Sequence, residues 1–177
     1  QLPQNLSDDI TYIKVSNSSE ALSVIASNFY GNPSKKLTLV GITGTNGKTT
    51  SATLLYNLFC QLGYKSGLIS TVNTKVQKKT YPSTHTTPDV ITLNKILKEM
   101  ADESCTHVFM EVSSHALDQN RTSGLDFDIG VFTNISRDHL DYHSTFNNYL
   151  NCKKKLFDSL SNEAFAIINF DDHYAKD

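Results

Sequence analysis

Five short apolar runs are spaced along the chain, and each has the length of a β-strand. Residues 37–42 form a continuous β-branched run, LTLVGI, which is typical of a strand buried on both faces of a parallel sheet. Residues 66–71 predict a second strand. Three later runs predict strands of the same buried type as the first, and they are residues 107–112, 128–134 and 164–169.

Patterns typical of helices separate these runs. A helix is predicted over residues 51–63, because its leucines fall at helical spacing, and Gly63 is expected to end it. A second helix is predicted over residues 88–100, and a third within residues 144–160, with Ser144 as its N-cap. Strands that alternate with helices indicate an α/β domain with a mostly parallel sheet flanked by helices.

The other segments are more polar. Residues 1–35 contain a β-like run at residues 10–15 and an amphipathic helix that begins at Ser18. Glycine, asparagine and proline within residues 31–34 are expected to break that helix. The threonine- and lysine-rich residues 71–89 predict either a loop or an exposed hairpin.

Composition and charge exclude several classes of protein. Hydrophobic residues make up 38% and charged residues 19% of the 177, and the mean hydropathy is −0.32, which is ordinary for a globular protein. A net charge of −2 gives no electrostatic reason to expect a nucleic acid or a membrane surface as a partner. No apolar run approaches the roughly 18 residues of a membrane span. Three cysteines without C-x-x-C spacing argue against a disulfide framework and predict a reducing, cytoplasmic environment.

A glycine-rich segment lies between the first predicted strand and the first long helix. In such a position, backbone N–H groups and the helix N-terminus can bind a phosphate. Lys48 would then contact the β- and γ-phosphates of a nucleotide, and the Thr49 hydroxyl would ligate Mg²⁺. The common phosphate-loop spacing is not met, because Ile42 stands where its first glycine would fall. The candidate ATP-binding residues are Gly44, Thr45, Asn46, Gly47, Lys48, Thr49 and Thr50.

This loop, TGTNGKTT after the strand LVGI, resembles the ATP-binding loop of the Mur ligase family, the ATP-dependent amide-bond-forming ligases of cell-wall synthesis. Three later segments resemble the MurE-type members, which add the third residue of the peptide stem to a UDP-N-acetylmuramoyl-dipeptide. The resemblance covers nearly the whole chain and implies the family's central domain, which is of phosphate-loop type. The segments are THTTPD (84–89), MEVSSHALDQNR (110–121) and FTNISRDHLDYH (132–143).

The resemblance implies a magnesium site and a modified lysine. Glu111 lies near the end of the strand predicted over residues 107–112, and it matches a Mg²⁺-binding acid of the family. His139 matches a metal-ligating histidine, and Lys153 matches a lysine that CO₂ carbamylates to help hold a second Mg²⁺ ion. The implied metal ligands are Thr49, Glu111, His139 and Lys153. The implied catalytic residues are Lys48, Glu111, His139 and Lys153. Because carbamylation requires an unprotonated amine, Lys153 is expected to be partly buried with a lowered pKa.

Six further residues match positions at which the family binds the UDP-sugar peptide. Hydroxyl groups and an arginine suit a ligand that carries sugar hydroxyls, phosphates and a carboxylate. Residues 86–89 are also well explained as the start of a helix, with proline near the first turn and an aspartate that complements the dipole. The six residues are His85, Thr86, Thr87, Ser113, Gln119 and Arg121.

The reaction implied by the resemblance begins when ATP phosphorylates the terminal carboxylate of the dipeptide substrate. The amine of a free amino acid, diaminopimelate or lysine, then attacks the acyl phosphate and displaces phosphate. The expected partners are therefore ATP, Mg²⁺, UDP-N-acetylmuramoyl-dipeptide and the amino acid, for a monomer in the bacterial cytoplasm. Two alternatives are an ATPase or nucleotide-binding regulator without ligation, and another Mur or folylpolyglutamate-type ligase.

The resemblance also implies a division into domains. Residues 1–35 are expected to be the tail of an N-terminal uridine-binding domain with a linker, and residues 36–177 the ATP-binding central domain, incomplete at its C-terminus. The family's C-terminal domain has no counterpart in the sequence, so the 177-residue chain alone is expected to be inactive.

Overall fold

The computed structural model describes residue 5 and residues 7–176. Seven strands form one sheet: β1 Thr38–Thr43, β2 Ser66–Ile69, β3 Asn73–Val76, β4 Lys79–Pro82, β5 His107–Glu111, β6 Ile129–Phe132 and β7 Phe165–Ile168. Their order in space is β4-β3-β2-β5-β1-β6-β7. Strands β2, β5, β1, β6 and β7 pair in parallel, whereas β3 and β4 add an antiparallel hairpin at one edge.

The helices cover the two faces of this sheet unequally. They are α1 Ser18–Phe29, α2 Lys48–Gln61, α3 Val90–Asp102, α4 Ser114–Asp118, α5 Leu140–His143 and α6 Phe146–Asp158, with a 3₁₀ turn at Pro33–Lys36. Helix α2 packs on the face that carries Val40 and Ile42, whereas α3, α4 and α6 pack on the face that carries Leu39. The connection from β1 to β2 runs across the sheet in one direction, and the later connections run in the other. Because crossovers between parallel strands are right-handed as a rule, opposite directions place the helices on opposite faces. None of the helices described is both long and apolar enough to cross a membrane.

Most sequence-based predictions of secondary structure are confirmed. Each of the five apolar runs overlaps a strand, and the three predicted helices correspond to α2, α3 and α6. The amphipathic helix predicted from Ser18 is α1, whose N-cap Asn17 accepts hydrogen bonds from two backbone N–H groups. Of the two alternatives for residues 71–89, the hairpin is the one that forms, as β3 and β4.

Three expectations are wrong. Residues 10–15 form no strand, because no neighbouring strand pairs with them. Strand β7 is not buried, since it lies at the edge of the sheet and all four of its residues are exposed. Ser144 is not the N-cap of α6: it ends α5 with φ of 65°, and the side chain of Thr145 accepts the Asn148 N–H instead.

Helix α1 packs against α3, which covers one face of the sheet. Its residues Ser23, Ala26 and Ser27 are buried, and the Ser23 hydroxyl donates to the carbonyl of Asn120. The division at residue 35 stays a prediction.

The direction of the connections changes between β5 and β1. The connection from β1 leads to one side of the sheet, and the connection from β5 leads to the other. Open α/β sheets bind ligands beyond the carboxyl ends of their strands at such a switch point. Thr43 ends β1 and Glu111 ends β5 at this place, where Ile42 pairs with Glu111.

Candidate functional site

The loop after β1 has the backbone geometry of a phosphate-binding turn. Gly47 has φ of 86° and caps α2 without a side-chain hydrogen bond, so the first N–H groups of α2 are available to a ligand. Gly44 has φ of 147°, and a Cβ atom there would lie 1.9 Å from the Thr133 hydroxyl. Only glycine satisfies both conditions at residue 44.

The loop after β6 holds the phosphate loop in place. The Asn134 side chain accepts the Asn46 N–H at 3.0 Å and donates to the Asn46 carbonyl at 3.1 Å. The Thr133 hydroxyl donates to the same carbonyl at 2.7 Å, and the Thr45 N–H donates to the Asn134 carbonyl at 2.8 Å. The conformation of the loop is thus fixed by residues about 88 positions later in the chain.

Two lysine amines meet at this loop. Lys48 Nζ donates to the carbonyls of Gly44 and Thr45 at 2.8 Å each. Lys153 Nζ also donates to the Gly44 carbonyl, at 2.8 Å, and lies 4.6 Å from the centre of the Tyr149 ring. The Tyr149 hydroxyl is 3.1 Å from Thr45 Oγ1, so the same tyrosine contacts both the loop and the lysine.

Burial changes the chemistry of both amines. Burial lowers the pKa of Lys48. The nearby carboxylates of Glu111 and Asp138 raise this pKa, but their effect is smaller than that of burial. Lys153 is only 2% exposed, and its burial, together with the charge of Lys48, lowers its pKa to about 7. The expected burial and lowered pKa of Lys153 are therefore confirmed, whereas its carbamylation stays a prediction.

The Glu111 carboxylate is buried at the end of β5, with 1% of the residue exposed. Its Oε1 accepts the Thr71 N–H at 2.7 Å, and its Oε2 accepts the Thr71 hydroxyl at 3.2 Å. It does not line the polar cavity that Lys48, Thr87 and Arg121 share.

His139 belongs to a cluster of aromatic rings. It is the N-cap of α5 with φ of 50°, and its Nε2 lies 3.6 Å from Asp138 Oδ2. The centre of its ring is 5.0 Å from that of His115, which also packs on Tyr142 at 4.1 Å. The third imidazole, His143, bonds to the Ser114 hydroxyl at 2.9 Å.

The predicted substrate-binding residues form a second hydrogen-bonded group. The Arg121 guanidinium donates to the Thr87 carbonyl at 2.8 Å, and its Nε donates to Gln119 Oε1 at 3.0 Å. The Thr87 hydroxyl donates to the Glu111 carbonyl at 2.8 Å and accepts the Ser113 N–H at 3.1 Å. The segment before α3 is therefore joined to the end of β5.

A polar cavity of about 270 Å³ brings the two groups together. It contains Lys48, His139 and Lys153 of the predicted catalytic residues and all of the predicted substrate-binding residues except Gln119. Neither Thr49 nor Glu111 lines it. The full lining is Lys48, His85, Thr86, Thr87, Ser113, Ser114, His115, Arg121, His139, Tyr149 and Lys153.

Three lining residues were not predicted as site residues: Ser114, His115 and Tyr149. His115 follows Glu111 by four positions within the segment MEVSSHALDQNR, and Tyr149 precedes Lys153 by one helical turn. Ser114 lies in the same segment, directly after Ser113, so that membership of that segment is the signal that could have found it.

The donor atoms at the site suit a magnesium ion that binds together with a nucleotide. Within residue 5 and residues 7–176, no three His, Cys, Asp or Glu side chains are arranged to hold a metal ion. Mg²⁺ commonly takes one or two protein ligands and completes its shell with phosphates and water. The hydroxyl of Thr49 in the first turn of α2 and the carboxylate of Glu111 at the end of β5 fit that pattern.

Comparison with known proteins identifies the family. Residues 42–177 match the model of the Mur ligase middle domain. A UDP-N-acetylmuramoyl-L-alanyl-D-glutamate–2,6-diaminopimelate ligase of Bacteroides fragilis is 58% identical over 172 residues, which is 97% of this chain and 36% of that protein. The ligase of the same name from Cytophaga hutchinsonii is 60% identical over 93% of this chain and 34% of its own length. The chain thus spans about a third of these relatives.

Solved structures agree in fold. A structure of a UDP-N-acetylmuramoyl-L-alanyl-D-glutamate–2,6-diaminopimelate ligase has a TM-score of 0.77 and 31% identity, covering 93% of this chain and 35% of that one. Escherichia coli FolC in complex with ADP, at 21% identity and a TM-score of 0.64, covers 88% of this chain and 42% of its own and shares the fold. The resemblance predicted from the sequence is confirmed: the chain belongs to the Mur ligase family, and residues 42–177 match its middle domain.

Proposed function

We propose that the full-length protein is an ATP-dependent ligase that joins 2,6-diaminopimelate to UDP-N-acetylmuramoyl-L-Ala-D-Glu in peptidoglycan synthesis. One observation carries the proposal: a single cavity holds Lys48 of the phosphate loop together with Thr87 and Arg121 of the predicted substrate group. A nucleotide-hydrolysing switch needs no such second group. Of the two amino acids considered, diaminopimelate is favoured because it appears in the names of relatives 44–60% identical to this chain.

In the proposed first step, a carboxylate oxygen of the dipeptide attacks the γ-phosphorus of ATP and the bond to ADP breaks. Positioning and charge stabilisation supply most of the catalysis of phosphoryl transfer. The N–H groups at the start of α2 and the Lys48 ammonium would stabilise charge on the transferred group. Arg121 and Thr87 would orient the dipeptide so that its carboxylate meets the phosphate loop.

Thr49 and Glu111 would hold one Mg²⁺ ion together with the nucleotide. His139 and carbamylated Lys153 are the proposed ligands of a second ion. The two ions would neutralise the negative charge of the phosphates. In the second step, the amino group attacks the acyl phosphate and forms a tetrahedral intermediate that expels phosphate. The amide bond replaces the bond to phosphate, and the amine loses its proton.

We place the protein, as a monomer, in the bacterial cytoplasm. The three cysteines are free, and two of them, Cys105 and Cys152, are buried, which suits a reducing compartment. The relatives named above are bacterial.

The test is phosphate release by the full-length protein supplied with ATP, Mg²⁺, UDP-N-acetylmuramoyl-L-Ala-D-Glu and one amino acid at a time. We expect release with diaminopimelate, and little with lysine or when the muramoyl substrate is omitted. Release that ignores the muramoyl substrate would support the ATPase alternative. A parallel assay with a folate and glutamate in place of the muramoyl substrate and diaminopimelate tests the folylpolyglutamate-type alternative, which release there would support.

Arg121→Ala should affect the binding of the muramoyl dipeptide without affecting the binding of ATP. Because the guanidinium bonds to the segment before α3, its loss should raise KM for the muramoyl dipeptide by roughly 10- to 100-fold, as for a lost charged hydrogen bond. KM for ATP should change little. Lys98→Ala, a surface cation of α3, serves as the control. An equal rise in both KM values would contradict the assignment.

A further inference from the structure

Thr71 joins the buried acid of the site to the segment that lines the cavity. It lies in the turn between β2 and β3, and both its backbone and its side chain bond to Glu111. Its hydroxyl is also 3.1 Å from the hydroxyl of Thr86. Thr71 was not predicted as a site residue, and it does not line the cavity.

The turn around Thr71 is held firmly. The Ser70 hydroxyl donates to the Asn73 carbonyl at 2.8 Å, and the Ser83 hydroxyl donates to the Ser70 carbonyl at 2.7 Å. The Ser70 N–H also donates to the Asn73 carbonyl at 3.1 Å. Thr71 therefore presents its N–H and hydroxyl to Glu111 from a fixed backbone.

The Thr71 hydroxyl has a single proton and two acceptors within reach. It donates either to Glu111 Oε2 at 3.2 Å or to the Thr86 hydroxyl at 3.1 Å. The Thr71 side chain therefore contacts both the buried carboxylate and the cavity wall, while its backbone N–H donates to Glu111 Oε1.

We propose that Thr71 is a positioning residue, which orients the Glu111 carboxylate for a nucleotide-bound metal ion and links it to Thr86 in the cavity wall. The role rests on the proposed function, because it assumes that Glu111 serves such an ion. Residues that orient a metal-binding side chain commonly change metal affinity by 10- to 100-fold when they are replaced.

The test measures metal binding without turnover. Mn²⁺ is titrated into the full-length protein with a non-hydrolysable ATP analogue, and free Mn²⁺ is followed by electron paramagnetic resonance. Thr71→Val keeps the backbone N–H and the shape but loses the hydroxyl, and it should weaken Mn²⁺ binding by about 10-fold or more. Thr71→Ser restores the hydroxyl and should bind within about twofold of wild type. Thr80→Val, on the exposed strand β4, is the matched control.

A double variant tests the link to Thr86. Thr86→Val removes the hydroxyl that Thr71 contacts, and the effect of Thr71→Val plus Thr86→Val should differ from the product of the two single effects, because residues in contact are coupled. Circular dichroism should show all variants folded. If Thr71→Val bound Mn²⁺ as tightly as wild type while wild type bound it normally, the positioning role would be wrong. If wild type itself gained no Mn²⁺ beyond that held by the nucleotide, the proposed function would fail first.

Discussion

Lys153 illustrates how burial sets the chemistry of a single side chain. The amine is shielded from water, shares the Gly44 carbonyl with Lys48, and has a pKa of about 7. At pH 7 about half of such amines are uncharged, whereas an ordinary lysine is almost wholly protonated. An uncharged amine is the form that can react with CO₂. Burial of the Lys153 amine also lowers the free energy of unfolding, because the charged form of the amine is disfavoured only in the folded state.

Lys153→Met should abolish ligation yet stabilise the protein at neutral pH. Below pH 7 the amine is charged in both states and the folded protein bears the full desolvation cost. Between pH 7 and 10.5 the folded amine is neutral while the unfolded one is still charged, so that the cost declines to zero. The variant should therefore unfold a few degrees higher than wild type at pH 7, with a difference that shrinks towards pH 10.

Thermal unfolding in CO₂-free buffer at pH 6, 7.5 and 9 checks this prediction. Lys154→Met is the control, because that neighbouring lysine is exposed and pairs with Asp158 on the surface. A variant less stable than wild type at every pH would show that the lysine contributes more by packing and hydrogen bonding than its burial costs.

The phosphate loop depends on contacts with a second loop. Residues 44–47 form neither helix nor strand, and Thr133 and Asn134 of the loop after β6 bond to their backbone. Because β6 pairs directly with β1, the sheet brings these two loops together. Nucleotide binding should therefore be sensitive to a side chain that need not touch the nucleotide.

Asn134→Ala should weaken ADP binding by roughly 5- to 50-fold, because two hydrogen bonds to Asn46 are lost. Isothermal titration calorimetry with the full-length protein measures the effect. Asn57→Ala, on the exposed side of α2, should bind ADP as wild type does. An unchanged affinity in Asn134→Ala would mean that the loop holds its conformation without this side chain.

The strands and long helices could be predicted from the sequence because their patterns are local. Apolar runs and helical spacing identify an element, but they do not reveal its neighbours. Residues 164–169 have the pattern of a buried strand and yet form an exposed edge, and residues 10–15 have a strand pattern but no partner. At the site, the resemblance supplied the candidate residues. The approach of His115 to His139 and of Thr71 to Glu111 arises only from folding.

At the scale of the whole molecule, one face of the sheet is only partly covered. Phe165 and Ile167 of β7 align with Ile129 and Val131 of β6, on the side where α2 packs. Helix α2 contacts β1, β2 and β5, and the two β7 side chains are 69% and 54% exposed. Exposed apolar edge strands favour association with other chains.

The 177-residue chain prepared by itself should therefore self-associate as its concentration rises. The double substitution Phe165→Lys and Ile167→Lys should reduce this, because charge on an edge strand opposes pairing. Light scattering over a concentration series measures the effect. Ile91→Lys removes a comparably exposed residue from α3 and should not help. Equal scattering from all three proteins would show that this face takes no part in association.

Gly44 makes the site unusually intolerant of mutation. Its φ of 147° and the Thr133 hydroxyl in the space of a side chain exclude every other residue for two independent reasons. Gly63, with φ of 88°, has open space around it, so that asparagine or aspartate could replace it at modest cost. We expect that clones selected for nucleotide binding from a library randomised at both codons will encode only glycine at position 44. At position 63 the selected clones should encode several different residues. A smaller residue at position 133 would make room for a side chain at position 44, but the φ of 147° would still disfavour every residue other than glycine. A second mutation at Thr133 would therefore not allow Gly44 to be replaced.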